Sequence, residues 1–226
     1  MPLYTADALI LRTYKLGEAD RIVVFLTRDR GKKRGVAKGA RRARSRFVGA
    51  LEPLTEARVA YFERERRDLV GLNFAEPIRS PLAHVPGDDA LGYVGYFAEL
   101  LDEWAQEADA DERLYRLGAA VLGALAAGAP AEPLARYFEY WLLRLQGVYP
   151  ETGGAISAGA VAFLAASRTT APERIGDLAA DGAALRELEQ LHRGLIAMHL
   201  EKTLKSDRVL RDWIRGSAAL PHGRAR

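Results

Sequence analysis

The hydrophobic pattern of the chain changes its period near residue 80, and this change restricts the folds that the chain can adopt. Before it, short apolar runs are separated by turns that contain glycine and charged residues, which is typical of β-strands. After the proline-containing stretch at residues 77–87, apolar residues recur at three- and four-residue steps, which indicates helices. The pattern predicts three parts: a β domain at residues 1–80, an all-α domain at residues 81–216 and a disordered tail at residues 217–226.

Five short strands are expected in the β domain. Their predicted bounds are residues 6–13, 21–27, 33–38, 47–62 and 68–78, with a kink at Pro53 in the fourth. Five strands with long connections favour a small closed barrel of the OB type, although a barrel of the SH3 kind fits the same pattern. The predicted fold class is α+β and multidomain, with an N-terminal OB-fold β-barrel followed by an all-α helical domain.

The all-α part is expected to contain five helices, which start near residues 88, 111, 133, 157 and 181. The third has the widest apolar face, which includes Tyr137, Phe138 and Trp141. Wide aromatic faces are most often buried, so we expect this face to belong to the core rather than to a ligand groove.

Charge is distributed unevenly along the 226 residues, although the net charge is only +3. Residues 1–80 contain 18 basic and 10 acidic side chains, whereas residues 81–226 contain 15 and 20. The first part therefore has a net charge of +8 and the second of −5. This asymmetry indicates that the two parts face different partners, and that the first attracts phosphate.

The basic charge is concentrated between residues 28 and 46, where ten of nineteen residues are Lys or Arg. Gly31, Gly35 and Gly39 interrupt this segment, so it is not expected to form a packed helix. One arginine guanidinium can bind two phosphate oxygens at once, and we expect residues 41–46 to reach over the barrel face from a mobile loop. A solvated basic loop without a ligand is the alternative. The candidate phosphate-binding residues are Arg30, Lys32, Lys33, Arg34, Lys38, Arg41, Arg42, Arg44 and Arg46.

No pattern of catalytic or metal-binding residues is apparent, so we expect neither an enzyme nor a cofactor or metal. The chain has no cysteine, and His192 and His199 are seven residues apart without a third ligand. Both histidines are expected to lie partly exposed on a helix face. No secretion signal or membrane-spanning run is recognisable, which is consistent with a cytoplasmic protein.

A second basic cluster near the C-terminus is a candidate partner-binding site. It consists of Lys202, Lys205, Arg208 and Arg211. Beside Leu204, Leu210 and Trp213, these cations could receive an acidic peptide that also carries an aromatic residue. The alternative is an ordinary basic face of a terminal helix. If this cluster did the main work, the protein would be an adaptor.

Several strings in the chain resemble the RecO family of bacterial recombination mediators. In the first part they are EADRIV at 18–23, RGK at 30–32, VAKGARR at 36–42, SR at 45–46 and LEPL at 51–54. Farther along they are LQGVYPE at 145–151, ISAGA at 156–160 and LKSDRVLR at 204–211. The order and spacing of the strings also fit the family, and together they span nearly the whole chain.

The resemblance implies an OB-fold that binds single- and double-stranded DNA, so the basic residues above become the candidate DNA-binding set. It also implies a helical body that contacts RecR and the acidic C-terminal tail of the single-strand-binding protein SSB. The implied roles are annealing of complementary strands and help for RecA in replacing SSB on DNA, without catalytic turnover, in the cytoplasm at the nucleoid. An RNA-binding barrel remains an alternative, because the basic residues do not distinguish ribose from deoxyribose.

One departure from the family concerns zinc. Many members carry two Cys-x-x-Cys pairs between the equivalents of Glu151 and Ile156, where this chain has only Thr152-Gly153-Gly154-Ala155. A structural zinc is therefore not expected.

Overall fold

The computed structural model describes residues 2–63, 68–150, 156–206, 209 and 210. Its strands are β1 (Leu3–Leu16), β2 (Asp20–Thr27), β3 (Gly31–Ala37), β4 (Glu56–Phe62) and β5 (Val70–Arg79). They pair in the order β1-β2-β3-β5-β4, and the pairing of β4 with β1 closes the sheet into a barrel. All pairs are antiparallel except β3 with β5. This confirms the predicted α+β arrangement with an OB-like N-terminal domain.

The predicted fourth strand is wrong in its first half, because β4 begins only at Glu56. Residues 38–55 instead form successive turns, in which the N–H groups of Ala40, Arg42 and Ser45 donate to carbonyl oxygens three residues earlier. Phe47 and Leu51 of this segment are buried in the core of the barrel. Phe47 and Leu51 therefore fill the barrel interior without joining the strand ladder.

In the described part of the chain, the helices are α1 (Pro81–His84), α2 (Asp88–Trp104), α3 (Glu112–Ala126), α4 (Ala131–Leu145), α5 (Ala158–Ser167) and α6 (Gly182–Leu200), with a 3₁₀ helix at Pro172–Asp177. Asp111, Ser157 and Asp181 cap α3, α5 and α6 by accepting a main-chain N–H three residues along. The five predicted helices are confirmed, and α1 is an additional single turn. None of these helices is long and apolar enough to cross a bilayer.

The aromatic face of α4 lies in the core, as expected. Phe138 is fully buried, and Tyr137 and Trp141 pack against the same cluster while remaining partly exposed. The ring of Phe138 meets the ring of Phe97 edge-on, with their centroids 4.9 Å apart. Helix α4 is therefore a central element of the helical core.

The outer face of the barrel joins this helical core. Leu9 and Val24 point away from the barrel interior and are buried with Leu101 of α2 in one apolar cluster. Helix α3 approaches closely at Gly118, where an added Cβ would lie 2.7 Å from side-chain atoms of both Leu9 and Leu101. The strands end at Arg79 and the first helix begins at Pro81, but the shared core joins the two parts across that point. The division into separate domains at residue 80 stays a prediction, and the predicted tail lies outside the described residues.

The turn between β2 and β3 is docked on the connection between α2 and α3. The N–H of Lys32 donates to the carbonyl oxygen of Gln106 at 3.1 Å, and the N–H of Ala108 donates back to the carbonyl of Lys32 at 3.2 Å. Gly31 has a φ of +67°, and a Cβ at this position would lie 2.2 Å from the main-chain oxygen of Asp109. The helices therefore cover this end of β2, while the turn between β1 and β2 lies at its other end.

Candidate nucleic-acid interface

The basic segment after β3 is fixed to the turn between β1 and β2. The N–H of Gly39 donates to Asp20 Oδ1 at 2.8 Å, and the N–H of Arg41 donates to the carbonyl of Ala19 at 2.9 Å. The Arg41 guanidinium also donates to the carbonyl oxygen of Glu18 at 2.8 Å. The expected mobile loop is therefore a compact, hydrogen-bonded segment, because its apolar residues and its polar anchors both bind it to the barrel.

Cations that lack a carboxylate partner among the described residues gather at this end of the barrel. We call them the basic rim; its members are Arg34, Lys38, Arg42, Arg44 and Arg46, all of which are exposed. Lys38 directly follows β3, and Arg46 lies over the ring of Phe47 at 5.2 Å. Arg41 is also exposed, but its guanidinium is partly occupied by the contact with Glu18. The rim therefore offers a surface of positive charge to an anion.

The remaining candidates on β3 and its preceding turn already have partners. Lys32 Nζ donates to the main-chain oxygen of Asp102 at 2.6 Å, and Lys33 Nζ lies 2.8 Å from Glu63 Oε1. Arg30 packs on the ring of Tyr4 at 4.2 Å, near the end of the barrel that the helices cover. The structure therefore separates Arg30, Lys32 and Lys33 from the basic rim.

Tyr14 adds an exposed aromatic side chain that the sequence reasoning did not single out. It pairs with Ile22 across the sheet, and Ile22 pairs with Val36, so the three side chains form one row on the outer face. This row lies between Arg34 and Lys38 along β3. Tyr14 is 44% exposed, so its ring is available for stacking.

Sequence alternation places Tyr14 on the wrong face because of a register shift. The pairing of β1 with β2 shifts between Ile10 and Arg12, which leaves Leu11 as an extra residue. Alternation counted from the interior residue Ile10 would send Tyr14 inward, but the extra residue turns it outward. The sequence offers Phe47, Tyr61, Phe62 and Phe74 as further candidates for base stacking, although aromatic residues of strands are more often buried in the core. Phe47 and Tyr61 are indeed buried, whereas Phe62 and Phe74 are partly exposed.

Arg12 connects this face to the helices. Its guanidinium donates to the hydroxyl of Tyr14 at 3.4 Å and forms ion pairs with Glu99 at 3.5 Å and Asp102 at 3.4 Å. Burial alone would raise the pKa of Glu99, but hydrogen bonds from Ser206 and Lys205 and the charge of Arg12 together lower it. Glu99 is therefore held as a carboxylate that links β1, α2 and the C-terminal segment.

The C-terminal basic cluster is only partly described. Lys202 forms an ion pair with Glu103, and the main-chain N–H of Lys205 donates to Glu99, while the side chain of Lys205 is exposed. Arg208 and Arg211 lie outside the described residues. Partner binding by this cluster stays a prediction.

The two histidines differ from the expectation of partial exposure. His192 is fully buried, with Nδ1 3.0 Å from Glu139 Oε2, whereas His199 is exposed and stacks on Trp104 with ring centroids 5.5 Å apart. His192 is buried because Glu139 on α4 offers it a partner inside the core. Among the described residues, no group of three His, Asp or Glu side chains is arranged to hold a metal ion.

Comparison with known proteins gives matches along most of the chain. The family model described as "Recombination protein O N terminal" matches residues 1–81, and "Recombination protein O C terminal" matches residues 89–153. A curated protein named "DNA repair protein RecO" from Koribacter versatilis is 43% identical over 150 residues, which are 66% of this chain and 61% of that protein. The protein of the same name from Anaeromyxobacter sp. (strain K) is 38% identical over 153 residues, which are 67% of this chain and 60% of that protein.

These two alignments span about three fifths of the relatives' own lengths. A third relative of the same name, from Pelotomaculum thermopropionicum, is 30% identical over an alignment of length 240, which covers 91% of this chain and 93% of that protein. Two successive family models and a relative matched over nearly its full length agree with the fold described above. The chain therefore belongs to the RecO family.

Proposed function

We propose that this protein acts in DNA repair and homologous recombination by binding single- and double-stranded DNA and annealing complementary strands. The observation that carries the proposal is the basic rim, whose cations are exposed and have no carboxylate partner in the described part of the chain. The names of the curated relatives support the repair role. The rim supplies the chemistry that a polyphosphate chain requires.

Binding by the rim is driven by the release of counterions from the nucleic acid. Each phosphate that a rim cation neutralises contributes about −0.7 to the slope of log affinity against log salt for a single strand. Because the backbone charge is the same at every nucleotide, this term is independent of base sequence. The proposed binding is therefore strong at low salt, weak at high salt and tolerant of sequence.

The outer row of the sheet adds a contact with bases. A strand that follows β3 from Arg34 to Lys38 covers about 13 Å, at roughly 3.3 Å per residue. Tyr14 lies beside this path, between the two cations, where a base can stack on its ring. Phosphates bind at Arg34 and Lys38, and stacking orients the bases between them.

Annealing follows from charge neutralisation and needs no covalent step. Two complementary strands repel each other through their phosphates, and a protein that shields both reduces this repulsion. Reversible contacts allow each strand to be released once it has paired. The proposed role is therefore that of a mediator rather than an enzyme.

The proposed partners are RecR, SSB and the RecA pathway, acting in the cytoplasm at the nucleoid. For the acidic tail of SSB, the exposed side chain of Lys205 is a candidate contact, together with Lys202, Arg208 and Arg211 from the predicted cluster. Lys202 would have to exchange its ion pair with Glu103 for a carboxylate of the tail. The contact with RecR is proposed for the helical part without a specific surface.

The proposal is tested by annealing of complementary oligonucleotides coated with SSB, with and without RecR. The unaltered protein should accelerate pairing, and RecR should increase the effect on the coated strands. A triple variant, Arg42→Ala with Arg44→Ala and Arg46→Ala, should lose most of the acceleration. The matched control removes three exposed arginines from the helical part, Arg113, Arg116 and Arg186, with the same change in net charge.

Equal losses in the two triple variants would show that net charge, not the rim, determines binding. Pairing at the uncatalysed rate with the unaltered protein would overturn the proposal. The RNA alternative is tested by fluorescence-anisotropy titrations of the protein with labelled DNA and RNA of one sequence. Clearly tighter binding to RNA would favour a role in RNA processing over DNA repair.

A further inference from the structure

A cavity of about 610 Å³ lies between α4 and α5, and none of the described residues that line it belongs to the barrel. Its walls include Tyr140 and Arg144 of α4, Val161 and Leu164 of α5, and Tyr149 and Arg168 near the ends of these helices. Cavities of this size, with apolar walls and a few convergent polar groups, are typical of small-ligand sites. The binding of DNA by the basic rim does not use this cavity.

Two guanidinium groups converge on one neutral oxygen in the wall of the cavity. Arg144 Nη1 donates to the hydroxyl of Tyr140 at 3.0 Å, and Arg168 Nε donates to the same oxygen at 2.7 Å. Within the described ranges, neither arginine has a carboxylate partner. Because a phenol carries no charge, no group of the described residues compensates the two adjacent positive charges.

A network of buried polar groups holds Tyr149, another residue of the cavity wall. The hydroxyl of Tyr149 lies 3.4 Å from Nε2 of His192, whose Nδ1 lies 3.0 Å from Glu139. Glu139 in turn accepts hydrogen bonds from Arg136 at 2.8 Å and from the hydroxyl of Tyr96 at 2.7 Å. Buried networks of this kind restrict the side chains that they connect. The position of Tyr149 is therefore set before any ligand binds.

The two tyrosine rings are also fixed relative to each other. They meet edge-on with their centroids 5.0 Å apart. Burial raises the pKa of Tyr149 to about 12, so its hydroxyl stays protonated at neutral pH and can donate or accept a hydrogen bond. The cavity thus presents the positive charge of Arg144 and Arg168 beside an aromatic ring and aliphatic side chains.

We infer that this cavity binds a phosphate monoester attached to a nucleoside, with the phosphate on Arg144 and Arg168 and the nucleoside against Tyr149, Val161 and Leu164. The chemistry is that of a nucleoside 5′-monophosphate, either free or at the 5′ end of a DNA strand. The strand-end source rests on the proposed function, whereas the free nucleotide does not.

The number of charges favours this ligand over an acidic peptide. A phosphate monoester carries a charge of about −1.5 to −2 near pH 7, which matches two adjacent guanidinium groups. It also has three acceptor oxygens for their forked donors, whereas one carboxylate has a single charge and two oxygens. A single peptide carboxylate would leave one guanidinium unneutralised, so a peptide would need two carboxylates spaced to reach both arginines. Binding of a short acidic peptide is therefore the competing outcome in the test.

The first experiment compares thymidine 5′-monophosphate with thymidine by calorimetry on the unaltered 226-residue chain. The nucleotide should bind, and removal of its phosphate should weaken binding by about tenfold or more, as expected for charge-assisted hydrogen bonds. Arg144→Gln and Arg168→Gln should each reduce affinity for the nucleotide. Equal affinity for thymidine, tighter binding of an acidic peptide, or unchanged affinity in a folded double variant would overturn the inference.

The second experiment distinguishes the two sources and separates this inference from the proposed function. Oligonucleotides with a 5′ phosphate should bind more tightly than those with a 5′ hydroxyl if strand ends enter the cavity, and equally if only free nucleotides do. The triple variant of Arg42, Arg44 and Arg46 should lose affinity for long DNA but keep its affinity for thymidine 5′-monophosphate. Loss of nucleotide binding in that variant would assign the ligand to the rim and overturn the cavity assignment.

Discussion

The guanidinium of Arg41 donates to the main-chain oxygen of Glu18 at 2.8 Å and to that of Gly17 at 3.3 Å, so that one side chain connects two turns of the barrel. The main-chain N–H of Arg41 adds a third contact, to the carbonyl of Ala19. The most basic part of the chain is therefore positioned before it meets a ligand. This arrangement reduces the conformational entropy that binding would otherwise cost.

Replacement of Arg41 should disturb the geometry of the rim, in addition to removing one positive charge. In Arg41→Ala, the two side-chain hydrogen bonds are lost, which should make residues 38–55 more accessible to limited proteolysis by chymotrypsin. Arg42→Ala removes the same charge, but the Arg42 side chain has no partner among the described residues, so it serves as the matched control. Equal protease resistance in the two variants would contradict the anchoring role of Arg41.

Tyr14 should contribute to DNA affinity without contributing to its salt dependence. Stacking of one base on an aromatic side chain is worth about 1–3 kcal/mol, so Tyr14→Ala should weaken single-strand binding by roughly fivefold to a hundredfold or more. Tyr14→Phe should retain most of the affinity, because the ring remains. The slope of log affinity against log salt should be the same in all three proteins, since Tyr14 neutralises no phosphate. A normal affinity in Tyr14→Ala would exclude the stacking contact.

The sequence predicts those features that depend on neighbouring residues. The helices were predictable because each carries an apolar face with the period of a helix, and Ser157 shows why their starts were also clear, since it caps α5. The concentration of charge after β3 is likewise local. The resemblance of short strings to RecO proteins was sufficient to identify the family, because their order along the chain is itself informative.

The features that the sequence did not reveal depend on contacts between distant parts of the chain. Lys32 is paired with Asp102, which is 70 residues away in the sequence. His192 is buried because it contacts Glu139, which is 53 residues away and lies on another helix. The outward position of Tyr14 depends on one extra residue in β1, which alternation cannot locate. Which charges pair, and which face of the sheet each side chain occupies after a bulge, are therefore properties of the folded chain.

Because the β2–β3 turn is docked on the helices, we expect the stability of the protein to be unusually sensitive to substitution of Gly31. Gly31→Ala would place a Cβ 2.2 Å from the main-chain oxygen of Asp109, a contact that only a backbone shift can relieve. Gly17 is a matched control, because its φ of +58° is similar but a Cβ there would meet nothing within 4 Å. Gly17→Ala should cost about 1 kcal/mol of unfolding free energy, and Gly31→Ala clearly more. Urea denaturation measures both costs, and equal values would mean that the turn is not tightly docked.

The buried pair of Glu139 and Arg136 should make stability depend on pH in the acidic range. Burial alone would raise the pKa of Glu139, but the charge of Arg136, followed by the contacts with His192 and Tyr96, lowers it below its usual value. A carboxylate whose pKa is lower in the folded state contributes stability that is fully present above its unfolded pKa of about 4.3. That stability should be lost as the pH falls through the lower, folded pKa.

Glu139→Gln tests this dependence, because it keeps the shape of the side chain and removes the titrating group. The variant should be destabilised at neutral pH by up to about 3–5 kcal/mol. The buried Arg136 loses its nearest counter-charge and keeps only the longer ion pair with Glu189, at 3.6 Å. Its unfolding free energy, measured by urea titration, should change less between pH 5 and pH 3 than that of the unaltered protein. The matched control is Glu187→Gln, because Glu187 accepts hydrogen bonds from Ser157 near the surface of α6 rather than in the core. If both variants lost stability equally, burial of the pair would not be the cause of the acid sensitivity.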